Sequence, residues 1–373
     1  MLKFDEIEKL HVELSSVCNA ACPVCPRNVS GGYEFPNLET NTFTYADFIQ
    51  IFEKDLIKNL KQILFVGRYG DPITCIDLPK ILEYISAINS RVQIRIHTNG
   101  GIRSPAWWRK LATFKNVSVI FSIDGLEDTN HIYRRNVKWD KLIANVESYV
   151  SNGGNAIWEF LVFGHNQHQT GAAKRLSDSI GISEFILKRP YGFNNMSTSH
   201  SSINVIDKQG KFNYKIFQAD KKYANSPYNA PHNQVDGNDN LVDDHIYRMQ
   251  QMTETVVDTV YDMIDIDCHA VKEKEIYVDS LYNLHPCCWL AYAGQNKILH
   301  DSSEIKYTKW LNEKIGHKNI NVKLSSIREL LNTSYFNKIK ETWNKTHVDG
   351  RFYTCTEMCG KNKNIRHNLI VEE

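Results

Sequence analysis

Between Leu10 and Lys188 the chain runs through six consecutive strand–helix units, and this alternation constrains the fold more than any other feature. Leu10-His11-Val12-Glu13-Leu14 alternates like a strand. A helix is predicted from Tyr45 to Asn59, capped by Thr44, with Phe48, Ile49, Phe52, Leu56 and Leu60 at helical spacing. Gln62–Val66 is an apolar run closed by Gly67-Arg68-Tyr69-Gly70-Asp71-Pro72, and Ile81, Leu82, Ile85 and Ile88 then mark a helix. Val92–His97 ends in Thr98-Asn99-Gly100-Gly101, after which Ser104 caps a helix with Pro105 at its first position. Val117–Ile123 closes at Asp124-Gly125, a helix covers Lys141–Val150, and Ala156–Phe163 is the fifth strand. A helix over Gln167–Ile180 ends at Gly181, and Ser183–Lys188 is the sixth strand. Near-continuous apolar strands separated by helices predict a parallel sheet covered by helices, an α/β fold that closes into a partial barrel. In such barrels chemistry sits at the carboxyl ends of the strands, so the Cys18–Cys25 loop after the first strand and the loops at Gly70-Asp71-Pro72, His97–Gly100 and Ser122–Gly125 should converge on one mouth.

Beyond Phe193 the composition turns to Asn, Ser, Gln, His and Asp. Ile203–Phe217, broken at Gln209-Gly210, predicts an exposed hairpin followed by a polar linker, then a helix over His245–Val257. Ile276–Asp279 and Tyr282–Pro286 predict a second hairpin, and Ile320–Glu341 a helix broken near Thr333. The expected division is therefore a barrel over 1–192, a polar hairpin and bridging helix over 193–260, and a small domain over 261–373.

Of nine cysteines, Cys18, Cys22 and Cys25 lie on the loop after the first strand, five lie in the last third, and Cys75 stands apart. No apolar leader opens the chain, and no run approaches the ~18 apolar residues of a membrane span. A soluble, cytoplasmic protein is expected, in which thiols favour metal binding over a disulfide framework. With 44 basic and 43 acidic residues, the formal charge of +1 provides no field that would draw in nucleic acid or an anionic membrane. Three close thiolates at this spacing can hold an iron–sulfur cluster and leave one iron open, whereas zinc wants a fourth ligand.

On the Cys18-x3-Cys22-x2-Cys25 spacing the chain resembles the radical S-adenosylmethionine superfamily, and the likeness extends over residues 8–190. Val24 stands where that family usually carries an aromatic residue. Tyr69-Gly70-Asp71-Pro72 is similar to the family's Gly-Gly-Glu-Pro loop, which implies a role for Tyr69, Gly70 and Asp71 around the methionyl ammonium. Asn99, Ser122 and Asp124 match positions that face the cofactor in relatives, and Arg134 resembles a residue that meets the methionyl carboxylate. Cys268, Cys287, Cys355 and Cys359 resemble the ligands of an auxiliary [4Fe–4S] cluster in a twitch-type domain, the single-cluster relative of SPASM domains; a structural zinc is the alternative there. Tyr282 occupies a position where relatives carry glycine. Cys75 and Cys288 are candidates for donating a hydrogen atom to a substrate radical, and His165 and His168 for touching substrate, against ordinary packing or solvated loops.

The resemblance implies a radical enzyme. One electron from a flavodoxin- or ferredoxin-like reductant passes to a [4Fe–4S] cluster, S-adenosylmethionine is cleaved, and the resulting 5′-deoxyadenosyl radical abstracts a substrate hydrogen. A ribosomally made peptide is the expected substrate. The alternatives are a small molecule such as a sugar, aminoglycoside or nucleotide derivative, and, more remotely, a non-catalytic iron–sulfur protein.

Overall fold

The computed structural model describes residues 2–190, 202–220, 262, 264–295, 311, 313, 315–346 and 348–361. The helix expected over 245–257, and most of the linker before it, lie outside these residues. In chain order the first half holds β1 Lys9–Val12, β2 Asn28–Val29, β3 Tyr33–Glu34, α1 Tyr45–Ile51, α2 Lys54–Asn59, β4 Gln62–Phe65, α3 Leu78–Ile88, β5 Gln93–Thr98, α4 Pro105–Leu111, β6 Val117–Ser122, α5 Asn130–Tyr133, α6 Trp139–Ser151, β7 Asn155–Leu161, α7 Thr170–Ile180 and β8 Glu184–Lys188. There follow β9 Ser202–Ile206, β10 Phe212–Phe217, α8 His269–Lys272, β11 Glu275–Val278, β12 Leu284–His285, α9 Cys288–Gln295, α10 Ile327–Leu331, α11 Tyr335–Thr342 and α12 Tyr353–Cys359. The chain divides into two compact units, one of Val12–Phe48 and Lys61–Asp239, the other of Met1–His11, Ile49–Leu60 and Asn240–Glu373.

The first unit is an α/β fold whose sheet runs β4-β5-β6-β7-β8, all parallel, the architecture of a partial (β/α) barrel. Its two faces differ in chemistry. Phe65 meets Phe48 of α1, while Phe121 packs between Trp108 of α4 and Tyr149 of α6, with ring centroids 5.2 and 6.0 Å away; these rings form the helix-covered side. Trp108 and Trp158 are fully buried there, as packing residues. Because neighbouring side chains on a strand point to opposite faces, the other face presents His97, Ser122, Glu159 and Lys188 toward the strand carboxyl ends, above Ile120 and Ile157.

Local signals set the boundaries. Asp47 and Thr44 cap α1 reciprocally, the Thr44 hydroxyl accepting from the Asp47 N–H at 3.1 Å and donating to its carboxylate at 2.8 Å. Ser104 caps α4 with Pro105 at the first position, and Gly181 ends α7 at φ +88°, a left-handed conformation that costs glycine little. The single helix expected over 45–59 is two helices: extended backbone at Glu53 resets the apolar face, so that Phe52, Leu56 and Ile57 are all buried. The hairpin β9–β10 forms where expected, yet it is not wholly solvated, since Val205 and Ile216 are buried. It is bound through Arg135, whose Nη1 donates to the carbonyls of Gly31 and Ile206, both at 2.6 Å.

In the second unit the strand order is β12-β11-β1, and β11–β12 is an antiparallel hairpin pairing Tyr277 with His285. Tyr282 takes the left-handed turn position at φ +68°. Asp279 makes that turn tolerable by accepting from the N–H groups of Leu281 and Asn283. The break expected near Thr333 separates α10 from α11. Among the described residues no helix is long and apolar enough to cross a membrane.

Candidate active site

Glu13 organises the first site. It is 1% exposed, and its Oε1 accepts from the backbone N–H groups of Arg68, Tyr69 and Gly70 at 2.7, 2.6 and 3.3 Å. Three converging donors hold the Gly67–Pro72 loop, which a backbone bond from Asp71 N–H to the Val17 carbonyl (2.9 Å) ties to the cysteine loop. Gly70 lies so close to Ser15 that a Cβ would overlap the Ser15 backbone. Arg27, 3% exposed, fastens the far side of the cysteine loop to the Ser16 carbonyl and to Glu34.

The three cysteines are free thiols on one loop. The Cys18 sulfur accepts from Ala20 N–H at 3.4 Å and lies 3.7 Å from Asn99 Nδ2, Cys22 lies 3.7 Å from Arg134 Nη1, and the Cys25 thiol points to the Arg68 carbonyl at 3.9 Å. Burial pushes all three thiols up, Cys25 to about 12, and their mutual repulsion adds to the rise at Cys18 and Cys25. Three thiols on one loop, Cys22 buried and Cys18 and Cys25 half-buried, that resist ionising beside one another are a donor set that a cationic iron–sulfur core would relieve.

Around the thiols stand the residues expected from the strand-end loops. Asp71 is buried and saturated: Oδ2 accepts from the Thr98 hydroxyl, the Asn99 N–H and Asn99 Nδ2 at 2.8–2.9 Å, and Oδ1 from Ile73 N–H. Its carboxylate thus braces the loop after β5, while burial raises its pKa against those hydrogen bonds. Asp124, fully buried, accepts from Arg134 Nε at 2.6 Å and from Leu161 N–H at 2.7 Å. Tyr69 is buried and lies under the Arg68 guanidinium, 4.8 Å from ring centroid to carbon. Ser122 ends β6 opposite Glu159. Cys75 lies elsewhere: it is fully buried, and its thiol donates to the Phe43 carbonyl at 3.2 Å. His165 stacks on Phe163 at 5.3 Å, and burial lowers its pKa to about 4, with His131 and His168 adding to the fall.

Sequence reasoning passed over Glu13, Arg27, Arg135 and the charged tier in which Lys188 meets Glu159 at 2.5 Å and His97 approaches it at 3.9 Å. The signal for Glu13 and Glu159 was present, a lone acid in an otherwise apolar strand, since such an acid is buried only with partners.

The second unit gathers the other cysteines. Cys268 and Cys359 hydrogen-bond each other, which lowers the Cys268 thiol to about 7 and raises that of Cys359. Burial raises Cys287 strongly, with Cys288, Cys355 and Cys268 as charged neighbours, and raises Cys355 to about 12. Cys288 also hydrogen-bonds His11, which contacts Glu275; burial alone would lower the His11 pKa, but these two partners outweigh it and raise it to about 10. Among the described residues no group of three or more His, Cys, Asp or Glu side chains is set for a single metal ion.

Residues 12–170 match the family model described as the radical SAM superfamily. No curated protein matches the chain. Among solved structures, anSMEcpe with bound AdoMet and Kp18Cys peptide is 12% identical with a TM-score of 0.53, covering 94% of this chain and 88% of that one. SuiB of Streptococcus suis bound to S-adenosylmethionine is 14% identical with a TM-score of 0.46, covering 78% of this chain, which spans only 60% of SuiB. BtrN in complex with AdoMet and 2-DOIA is 12% identical with a TM-score of 0.41, covering 96% and 95%. At these identities the likeness is one of fold.

Proposed function

We propose, on the match of residues 12–170 to the radical SAM superfamily model, that this segment is a radical SAM domain and that the chain is an enzyme that modifies a peptide by hydrogen-atom abstraction. The observation that carries the reading is the convergence of three free thiols with Asp71, Asn99, Asp124 and Arg134 at the strand ends of one barrel unit. Cys18, Cys22 and Cys25 would ligate a [4Fe–4S] cluster. The cluster and S-adenosylmethionine, when bound, supply one-electron cleavage of the sulfonium to methionine and a 5′-deoxyadenosyl radical, the electron coming from a flavodoxin- or ferredoxin-like donor.

This chain's residues orient and exclude. Glu13 holds the Arg68-Tyr69-Gly70 backbone and the Val17 carbonyl holds the Asp71 N–H, in a loop whose polar groups would receive the methionyl ammonium, with Asp71 acting through Thr98 and Asn99. Arg134 brings a cation that suits the methionyl carboxylate. Ser122 and the His97–Glu159–Lys188 tier line the sheet face toward which the substrate would lie. Cys268, Cys287, Cys355 and Cys359 would hold an auxiliary [4Fe–4S] cluster of twitch type; the hydrogen bond that engages Cys288 with His11 favours Cys287 as ligand. The peptide reading draws on fold likeness to a structure solved with a peptide bound.

Anaerobic reconstitution, followed by S-adenosylmethionine and dithionite, should yield 5′-deoxyadenosine detectable by mass spectrometry. The Cys18→Ala/Cys22→Ala/Cys25→Ala protein should yield none; undiminished formation overturns the reading. Deuterium passing into 5′-deoxyadenosine from perdeuterated peptides, rather than from deuterated sugars, decides between the substrate classes.

A further inference from the structure

We propose that Arg134 raises the reduction potential of the cluster held by Cys18, Cys22 and Cys25, by donating a charged N–H···S hydrogen bond to Cys22 from a guanidinium that Asp124 locks in place. The inference rests on the reading that the trio holds a [4Fe–4S] cluster. Arg134 Nη1 lies 3.7 Å from Cys22 Sγ while Nε donates to Asp124 Oδ2 at 2.6 Å, so one planar group bridges sulfur and carboxylate.

The clamp on Arg134 is itself fixed on every side. The other carboxylate oxygen of Asp124 accepts from Leu161 N–H at 2.7 Å, its own N–H donates to Asn130 Oδ1 at 2.9 Å, and its carbonyl accepts from Asn166 Nδ2 at 2.9 Å. The Arg134 backbone N–H is bonded to the Asn130 carbonyl at 2.8 Å, and its guanidinium carbon sits 5.4 Å from the Tyr133 ring centroid. A guanidinium held at both ends cannot follow the sulfur or leave it without breaking a buried pair.

Reduction adds an electron whose charge is shared by the ligand sulfurs, and a cationic donor stabilises that state more than the oxidised one. Asn99 Nδ2, 3.7 Å from Cys18 Sγ, is a second donor, but it is neutral and also serves Asn19 Oδ1 and Asp71 Oδ2 at 2.9 and 2.8 Å. Charge-assisted donors are about twice as strong, so Arg134 should dominate.

The test is an EPR-monitored redox titration of the reconstituted full chain without S-adenosylmethionine, the relevant signal being the one that later changes when S-adenosylmethionine is added. Arg134→Gln/Asp124→Asn keeps the buried pair neutral and hydrogen-bonded; Arg134→Lys keeps the charge and loses the fork. The double variant should assemble the same iron and sulfide, yet at a fixed poise its reduced-to-oxidised ratio should fall about tenfold, about 59 mV for a one-electron couple, with Arg134→Lys between it and wild type. An unchanged midpoint in either variant with a full cluster overturns the proposal. So does loss of iron from both variants at wild-type melting temperature, because Arg134 then retains the cluster rather than tunes it. A wild-type chain that takes up no iron instead overturns the functional reading on which this rests.

Discussion

Three backbone N–H groups, those of Arg68, Tyr69 and Gly70, end on one oxygen of Glu13. Replacing it by alanine leaves buried donors unmet at about 1–3 kcal/mol each, so Glu13→Ala should lose on the order of 3 kcal/mol and unfold at markedly lower denaturant, with the C-terminal cysteine mutants as unaffected controls. Glu13→Gln keeps an acceptor and should lose less. His165 makes a different kind of prediction. Burial, helped by His131 and His168, lowers its pKa from 6.5 to about 4. Between those values the unfolded chain takes up a proton that the folded one refuses, so stability falls as pH drops from 6.5 toward 4 and is unaffected above 6.5. His165→Phe, which preserves the stack on Phe163, should flatten that part of the profile in urea titrations at pH 7 and pH 4.5. A variant as acid-sensitive as wild type would show that the imidazole is not the group responsible.

At the scale of elements, the loop between β4 and α3 depends on a missing side chain. Its Gly70 abuts the Ser15 backbone, where a Cβ cannot fit. Gly70→Ala should push this loop off the cysteine loop, lowering the melting temperature and cutting binding of S-adenosylmethionine to the reconstituted protein by at least tenfold in calorimetry. Equal affinity would show that the two loops need not touch. The same element illustrates what could be read from residues alone. The run Gln62–Val66, its glycines and the helix after it were legible because alternation, turn chemistry and helical spacing agreed. The hairpin of β2 and β3 was not, since strands of two residues carry no period, and their pairing depends on contacts with distant segments such as β9. The break of α1 from α2 was hidden for the opposite reason: the apolar spacing continues across Glu53, and only packing decides that both halves bury their faces. Likewise the thiols were legible as a trio, but that Arg134 bridges Asp124 to Cys22, or that Cys288 turns to His11, follows from folded geometry alone.

Over the whole molecule, each cysteine set falls within one compact unit, Cys18, Cys22 and Cys25 in one and Cys268, Cys287, Cys355 and Cys359 in the other. Loading should therefore be additive. The wild-type chain should take up about eight irons, and either the Cys18→Ala/Cys22→Ala/Cys25→Ala protein or the Cys268→Ala/Cys287→Ala/Cys355→Ala/Cys359→Ala protein about four, by the count of four thiolate positions per cubane. The thiols also give loading a sign in pH. Burial holds Cys25 and Cys355 near 12, so the apo protein keeps both protonated at neutral pH, and the metal must displace those protons. Raising the pH from 7 to 9 lowers the free-energy cost of that displacement, so the extent of loading at limiting iron should rise across the interval, and proton release in weakly buffered solution should accompany iron uptake. The pair Cys268–Cys359 tempers this for the second unit, because the Cys268 thiol is held near 7 and is partly ionised beforehand. The quadruple variant, which loads only the trio, should thus show the steeper pH dependence of the two. A flat profile in it would mean that the trio thiols are already ionised in the folded apo chain.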